Sequence, residues 1–214
     1  MKGEHSLPRL GILISGRGSN LQAIIDAIDA RRLRATIAIV ISNVAEAKGL
    51  DRARAAGVDT VVVPHSGSRT RGDYDRRLVS VLQQHRVDLV CLAGFMRLLS
   101  PVFVDSFPNR ILNIHPSLLP AFPGLDAQRQ ALEHGVMVTG ATVHLVTAEL
   151  DAGPIVLQAP VPVLADDTVE TLAARILEAE HRIYPEAIQR VLDGGWTIAG
   201  RRFAETRTFG KAQS

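Results

Sequence analysis

Cysteine, aromatic residues and long apolar runs are all scarce in this sequence of 214 residues. The single cysteine, Cys91, excludes a disulfide framework within the chain and a zinc site built on several cysteines. No apolar run approaches the ~20 residues that a helix needs to cross a bilayer, and the start of the chain lacks the pattern of a signal peptide. We therefore expect a cytoplasmic protein that has no membrane partner.

The net charge is also small, at +2, but it is spread unevenly along the chain. Residues 1–100 hold 15 basic and 9 acidic side chains, whereas residues 101–200 hold 5 and 12. A basic half favours a small anionic ligand. We expect no nucleic-acid partner, because aromatic residues form only 4% of the chain and do not interleave with runs of Lys or Arg.

The first hundred residues alternate apolar runs with segments of helical spacing. Continuous apolar runs are typical of strands in a parallel sheet that is covered on both faces. The predicted strands are Leu10–Ser15, Thr36–Ile41, Thr60–Val63 and Asp88–Ala93, and the predicted helices are Leu21–Ile28, Glu46–Ala56 and Tyr74–Gln84. This order predicts an α/β fold that binds ligands at the carboxyl ends of its strands.

The second half has longer strands and fewer helices. Its predicted elements are strands at Arg110–Ile114, Val136–Val146 and Ile155–Val163, a rigid loop at Leu118–Gly124, a short helix at Gln128–His134 and a long helix over roughly Thr168–Leu192. Asp167 and Glu170 resemble a capping box, and Pro185 should kink or break the long helix. We expect a Rossmann-like parallel sheet in the N-terminal half, extended by strands of mixed direction, with helices on both faces. The tail after Trp196 is expected to be partly ordered at best.

A glycine-rich turn, Ser15 to Asn20 (SGRGSN), follows the first strand. Glycines let the backbone approach a ligand, and the N–H groups at the start of the next helix attract an anion. The turn lacks the Gly-Lys-Ser/Thr of a Walker loop and the third glycine of a dinucleotide fingerprint. It predicts a site for phosphate or sulfate, and a plain tight turn is the alternative.

The segment Asn113-Ile114-His115-Pro116 ends a predicted strand. Residues two apart share one face of a strand, so the Asn113 amide and the His115 ring point the same way. An amide donor beside an imidazole can stabilise an oxyanion, and the imidazole can also move protons. A hydrogen-bonded structural histidine explains the pattern equally well.

Two carboxylates are candidates to complete such a site. Asp151 lies in the turn Leu150–Pro154, and it matters only if the fold brings it to His115, where it would orient the ring and favour its protonated form. Glu180 falls within the apolar stripe of the long helix, where a carboxylate needs a partner. It either pairs with an Arg or accepts hydrogen bonds from the hydroxyl groups of a ligand.

The remaining polar candidates give weaker signals. No pair of histidines has the spacing of metal ligands, so we expect no metal site. His144, on the strand before Asp151, is expected to support the site or the fold. The loop Gly94–Leu99 would either line a pocket with its backbone or pack against the next helix, and Cys91 should be buried and inert.

Five segments carry a resemblance to a known family: ISGRGSNLQAIID, LAGFMRLLSP, ILNIHPSLLPAFPG, GATVHLVTAELDAGP and EAEHRIYP. Their order and spacing resemble the phosphoribosylglycinamide formyltransferases over nearly all of residues 10–193. The resemblance implies transfer of a formyl group from 10-formyltetrahydrofolate, as co-substrate, to the glycyl amine of 5′-phosphoribosylglycinamide. The products would be formylglycinamide ribonucleotide and tetrahydrofolate, in de novo purine biosynthesis.

The resemblance also implies roles for single residues. The catalytic residues would be Asn113, His115 and Asp151. The residues implied to bind the ribonucleotide are Gly18, Ser19 and Asn20, at its phosphate, and Glu180, at its ribose hydroxyls. The residues implied to bind the folate are Arg71, Met96, Arg97, Leu98, Leu99, Asn113, Thr147, Ala148, Glu149, Leu150 and Asp151, with Arg71 and Arg97 near its glutamate tail.

The implied organisation is one formyltransferase domain over residues 1–214. Residues 1–100 would bind phosphate, residues 101–193 would hold the catalytic group and the folate, and residues 194–214 would form a tail. Arg17 and Gln128 lie where many relatives differ, at the phosphate turn and in the active-site loop, and we expect neither departure to abolish activity.

The implied mechanism is direct transfer. The deprotonated glycyl amine attacks the formyl carbon, Asn113 and a protonated His115 stabilise the tetrahedral oxyanion, and Asp151 relays protons through a water to the departing N10. Methionyl-tRNA formyltransferase and formyltetrahydrofolate hydrolase would need a further C-terminal or N-terminal domain, and we expect neither. A nucleotide-binding module without catalysis is the alternative from another class, and a homodimer is left open.

Overall fold

A single mixed sheet organises the part of the chain that the computed structural model describes, residues 6–206. Its strands are β1 (Arg9–Ile14), β2 (Thr36–Ser42), β3 (Thr60–Val62), β4 (Leu89–Leu92), β5 (Ile111–His115), β6 (Val138–Leu145), β7 (Ile155–Pro162), β8 (Trp196–Ala199) and β9 (Arg202–Glu205). The helices are α1 (Ser19–Asp29), α2 (Gly49–Ala55), α3 (Arg71–Gln84), α4 (Pro101–Ser106), α5 (Ala127–Glu133) and α6 (Val169–Asp193).

The order of strands in the sheet is β3-β2-β1-β4-β5-β6-β7-β9-β8. Strands β1 to β5 pair in parallel, whereas β6 is antiparallel to both β5 and β7. This arrangement confirms the predicted α/β fold, with a parallel N-terminal half extended by strands of mixed direction. The chain moves outward from β1 to β3 and then returns to β4 on the other side of β1, which creates a crevice for ligands at the carboxyl ends of β1 and β4.

Two apolar cores lie on opposite faces of this sheet, which confirms helices on both faces. One core joins the sheet to α1, α2 and α6 through side chains such as Leu21, Leu50 and Ile176. The other joins it to α3 and α4 through Tyr74 and Phe103. Because strands β1, β2 and β4 are covered on both faces, their sequences are continuously apolar rather than alternating.

The N-terminus of α6 lies one residue from the predicted position. Thr168 is the N-cap, and its hydroxyl accepts a hydrogen bond from the Thr171 N–H at 3.3 Å. The predicted capping box of Asp167 and Glu170 is therefore wrong. The Asp167 carboxylate instead accepts the Leu164 N–H and forms an ion pair with Arg175 at 2.8 Å, and these contacts hold its pKa well below the usual range.

Helix α6 is 25 residues long and continues without interruption through Pro185, so the predicted break at this proline is wrong. Proline removes one backbone hydrogen bond, but tertiary packing holds the helix on both sides of it. Tyr184 and Ile188 are fully buried, and the Tyr184 hydroxyl lies 3.0 Å from the Leu92 carbonyl and 3.1 Å from the Leu112 carbonyl. Among the helices of residues 6–206, none combines the length and the apolarity that a bilayer-crossing segment requires.

The tail contains more structure than its sequence suggests. Strands β8 and β9 form a hairpin, and β9 joins the edge of β7 at the pair Ile155 and Arg202. The ring of Trp196 stacks on that of Phe203, with centroids 5.1 Å apart. Short, half-exposed strands give a weak periodic signal, which is why the sequence misses them. Residues 207–214 of the predicted tail lie outside the described residues.

We predict that Tyr184→Phe lowers the free energy of unfolding by about 1–2 kcal/mol, because it leaves buried carbonyls of two strands without their donor. Urea denaturation followed by circular dichroism measures the change. Tyr74→Phe is the matched control on the other face, since its hydroxyl bonds a single carbonyl, that of Val63. Unchanged stability in Tyr184→Phe would show that this contact does not anchor α6.

Candidate active site

The glycine-rich turn after β1 packs closely against the start of α2. Gly18 has a left-handed backbone, with φ of 71°, and a Cβ atom on it would lie 2.5 Å from the Gly49 Cα. The Gly49 N–H donates to the Gly16 carbonyl at 3.0 Å. Helix α1 then begins at Ser19 without a side-chain cap, so the turn presents N–H groups at the carboxyl edge of the sheet.

Glu180 is buried beside this turn and is paired with an amide. Asn20 Nδ2 donates to Glu180 Oε2 at 2.7 Å, and both side chains are only 7% exposed. Within residues 6–206 no Arg forms an ion pair with Glu180, so the predicted alternative of an Arg partner is wrong. Burial raises the pKa of Glu180, and the Asn20 Oδ1 atom is buried without a hydrogen-bond partner among the described residues.

The fold brings Asp151 to His115. Asp151 Oδ2 lies 3.5 Å from His115 Nδ1 and accepts the Gly124 N–H at 2.8 Å. The turn that carries Asp151 lies close against β6, because any Cβ atom on Gly153 would overlap the Leu145 carbonyl oxygen. Asp151 therefore lies close to His115, as its predicted role requires.

His144 contacts two of the three predicted catalytic residues. Its Nε2 atom is 3.1 Å from Asn113 Nδ2 and 3.7 Å from Asp151 Oδ1. The antiparallel register of β5 and β6 places it directly opposite Asn113. His144 is predicted to support the site or the fold, and its contact with Asn113 follows from the pairing of β5 with β6, which no local pattern shows.

Burial lowers the pKa of His115, although the Phe122 carbonyl and the Asp151 carboxylate act in the opposite direction. The Asp151 carboxylate favours the protonated form of His115, as predicted, but the loss of hydration outweighs the attraction of this one carboxylate and lowers the pKa of the ring overall. His115 Nε2 donates to the Phe122 carbonyl at 2.8 Å, which leaves Nδ1 toward Asp151. Burial also acts to raise the pKa of Asp151, but the nearby His144 ring and the hydrogen bond from the Gly124 N–H lower it overall.

The loop after β4 exposes the predicted folate-binding residues. Met96 is 72% and Leu98 54% exposed, although both are apolar. The Arg97 guanidinium lies over the Tyr74 ring, 5.1 Å from its centroid, and Arg71 is exposed one turn earlier on α3. Across the crevice, residues 147–150 form an exposed turn between Leu145 and Asp151.

The turn after β1, with the uncapped N–H groups of α1, and the histidine, carboxylate and amide side chains of His115, Asp151 and Asn113 belong to neighbouring parts of one sheet. Among the described residues, no group of three His, Cys, Asp or Glu side chains is arranged to hold a metal ion.

The profile of the formyl transferase family matches residues 8–188. The chain belongs to the formyl transferase family. The resemblance found in the sequence is thereby confirmed.

Individual formyl transferases are similar over most of the chain. The phosphoribosylglycinamide formyltransferase of Escherichia coli (strain K12) is 51% identical, over 86% of this chain and 86% of that protein. The human trifunctional purine biosynthetic protein adenosine-3 is also 51% identical, but this chain spans only 19% of its length. The crystal structure of glycinamide ribonucleotide transformylase 1 from Symbiobacterium toebii superposes with a TM-score of 0.93 at 56% identity, and covers 96% of this chain and 97% of that one.

We predict that His115 makes the protein less stable in mild acid. Unfolded His115 takes up a proton near its usual pKa of 6.5, whereas the folded ring resists protonation, so the free energy of unfolding falls as the pH drops below about 6.5. His115→Asn should lose less free energy of unfolding than the wild type between about pH 7.5 and pH 5.5. Urea denaturation at both pH values measures the difference. His181, whose pKa is also lowered by burial, is present in both proteins and cancels. Equal losses would refute the prediction.

Proposed function

We propose that this formyl transferase transfers the formyl group of 10-formyltetrahydrofolate to the glycyl amine of 5′-phosphoribosylglycinamide. The products are formylglycinamide ribonucleotide and tetrahydrofolate, and the step belongs to de novo purine biosynthesis. The observation that carries the proposal is the contact of Asp151 with His115 and, through His144, with Asn113, on a sheet in which β5 lies two strands from the glycine-rich turn after β1. Identity of 51% to the Escherichia coli enzyme of that name supports the choice of substrates.

The ribonucleotide binds at the turn after β1 in this proposal. The N–H groups of Ser19 and Asn20, with Gly18 allowing close approach, receive the phosphate. Glu180 then accepts hydrogen bonds from the ribose hydroxyls, supported by its contact with Asn20. The ligand would also give the unpartnered Asn20 Oδ1 atom a donor.

The folate binds between the loop after β4 and the turn after β6. The contributing residues are Met96, Arg97, Leu98 and Leu99 on one side and Asn113, Thr147, Ala148, Glu149, Leu150 and Asp151 on the other, with Arg71 and Arg97 toward the glutamate tail. Exposed apolar side chains on the loop suit an aromatic pterin, and its backbone groups suit the polar edge of that ring. The formyl carbon then lies near Asn113 and His115.

The reaction proceeds through a tetrahedral intermediate. The glycyl nitrogen bonds to the formyl carbon, the carbonyl electrons move to oxygen, and the Asn113 amide donates to the resulting oxyanion. Burial lowers the pKa of His115 in the free protein, and negative charge that develops beside the ring raises it and favours the protonated form. In this proposal the ring donates to the oxyanion through Nε2, which exchanges its hydrogen bond with the Phe122 carbonyl for the new one, while Nδ1–H faces Asp151. Asp151 stabilises that imidazolium.

The leaving group departs after a proton moves across the site. The attacking nitrogen loses one proton, a water beside Asp151 carries it, and N10 of the folate receives it. The bond between the formyl carbon and N10 then breaks as the carbonyl re-forms. His115 returns its own proton to solvent, so no net proton is gained or lost.

The activity is tested by mixing the purified protein with glycinamide ribonucleotide and 10-formyl-5,8-dideazafolate and following the deformylated folate by absorbance. Release that requires the nucleotide supports the transferase. Release without the nucleotide identifies a hydrolase of the folate. Saturable folate binding without release identifies a binding module and overturns the proposal.

We predict that Asn113→Ala and His115→Ala each lower kcat by at least about 10²-fold, because each removes a donor to the oxyanion. Asp151→Asn should lower kcat strongly and leave folate binding nearly unchanged. Circular dichroism confirms that each variant is folded. Turnover within about threefold of the wild type in any of them would remove that residue from the mechanism.

We predict that Glu180→Ala raises the KM for the ribonucleotide and leaves the KM for the folate unchanged, because the hydrogen bond recorded for Glu180 is with Asn20 of the turn proposed to bind the phosphate. Steady-state kinetics with each substrate varied in turn measures both constants. Glu180→Gln is the companion variant, since it keeps the size of the side chain and its hydrogen bond with Asn20. If Glu180→Ala unfolds and Glu180→Gln has normal kinetics, the role of Glu180 is structural.

The remaining parts of the proposal concern the whole chain. We propose that residues 1–214 act as one formyltransferase domain in the cytoplasm, with a phosphate-binding half up to residue 100 and a catalytic half up to residue 193. Light scattering tests the homodimer: a dimer has twice the 23.1 kDa of one chain.

A further inference from the structure

The loop between β4 and α4, residues 94–100, is fixed at two points by polar side chains. Near its start the Met96 N–H donates to the hydroxyl of Ser15, at the end of β1, at 2.9 Å. At its end the Ser100 N–H donates to Asp75 Oδ2 at 2.6 Å. Between these two anchors the side chains of Met96 and Leu98 project into solvent.

Asp75 is an unusual residue for its position. It lies on the inner face of α3, is only 1% exposed, and sits next to the buried Tyr74 and one turn before the buried Leu78 and Val79. A buried carboxylate is costly unless its environment compensates it. Within residues 6–206 no Lys, Arg or His forms an ion pair with Asp75, and its recorded partner is the backbone N–H of Ser100.

The same turn of α3 also supports the middle of the loop. Tyr74, the neighbour of Asp75, lies under the Arg97 guanidinium and is itself fixed by a hydrogen bond to the Val63 carbonyl. Helix α3 is held at its start by a capping box of Thr70 and Asp73. The loop therefore contacts α3 at two places, through Arg97 on Tyr74 and through the Ser100 N–H on Asp75.

We propose that Asp75 is a positioning residue for the folate: it fixes the end of the loop so that the backbone of residues 96–99 is already arranged to receive the pterin. The inference rests on the proposed function. An apolar residue would pack at this site, but it would leave the Ser100 N–H without an acceptor and the loop free to shift. Binding would then have to order the loop, and the folate would bind more weakly.

The test compares Asp75→Ala and Asp75→Asn with the wild type. Asp75→Ala removes the acceptor, and we expect it to raise the KM for the folate about tenfold or more. Asp75→Asn keeps an oxygen that can accept the Ser100 N–H, so its KM should be intermediate. In both variants the KM for the ribonucleotide should stay within about twofold of the wild type and kcat should change less than the folate KM.

Asp167→Asn is the matched control. Asp167 is also a carboxylate that accepts a backbone N–H ahead of a helix, that of Leu164 at 2.7 Å, but it lies at the start of α6. This variant should lower the melting temperature and leave the folate KM unchanged. The contrast separates a role in binding from a general loss of stability.

Isothermal titration of the folate analogue, without the ribonucleotide, measures binding apart from turnover. Weaker binding by Asp75→Ala than by Asp167→Asn, with Asp75→Asn between them, supports the proposal. Equal folate affinity in Asp75→Ala and the wild type, with normal transfer, overturns it and leaves the proposed function intact. If Asp75→Ala does not fold, Asp75→Asn decides the matter alone. A wild type that binds no folate overturns the proposed function and this inference together.

Discussion

Burial at the carboxyl edge of the sheet requires each polar side chain there to find a hydrogen-bond partner, and those pairings shape the whole site. Glu180 on α6 is satisfied by Asn20 on α1, so the last helix is fixed to the first. Asn113 is satisfied by His144 on the neighbouring strand. A buried polar group that loses its hydration without gaining a hydrogen bond is destabilising, so a missing partner costs more than a surface contact contributes. The site and the packing of the helices are consequences of the same requirement.

The pKa of His115 depends on two opposing effects. Loss of hydration favours the neutral ring, whereas the Asp151 carboxylate and the Phe122 carbonyl favour the charged one. Burial prevails in the free protein, and a negative charge placed beside the ring would act in the opposite direction and favour the protonated form.

Local patterns predict much of this structure, and long-range register accounts for what they miss. The continuous apolar runs identify β1 and β4, and the spacing of Asn113 and His115 follows from the alternation of a strand. The contact of Asp151 with His115 depends on how β5 and β6 pair and on a turn many residues away, which no local window contains. The wrong N-cap predicted for α6 has another cause. Asp167 and Thr168 are adjacent and both are favourable N-cap residues, but the Asp167 carboxylate is engaged by Arg175 and Thr168 caps the helix.

The C-terminal hairpin of β8 and β9 also limits the pairing of other chains with the edge of strand β7. Strand β7 would otherwise end the sheet with a free row of backbone groups, the kind of edge on which another chain can add a strand. Strand β9 covers it at Ile155, and Pro160 and Pro162 farther along β7 have no N–H to offer an incoming strand. The edge of β7 is thus protected at one end by pairing with β9 and at the other by the two prolines. Shortening the chain before Trp196 would remove β9 and leave the prolines as the remaining barrier to self-association on the edge of β7.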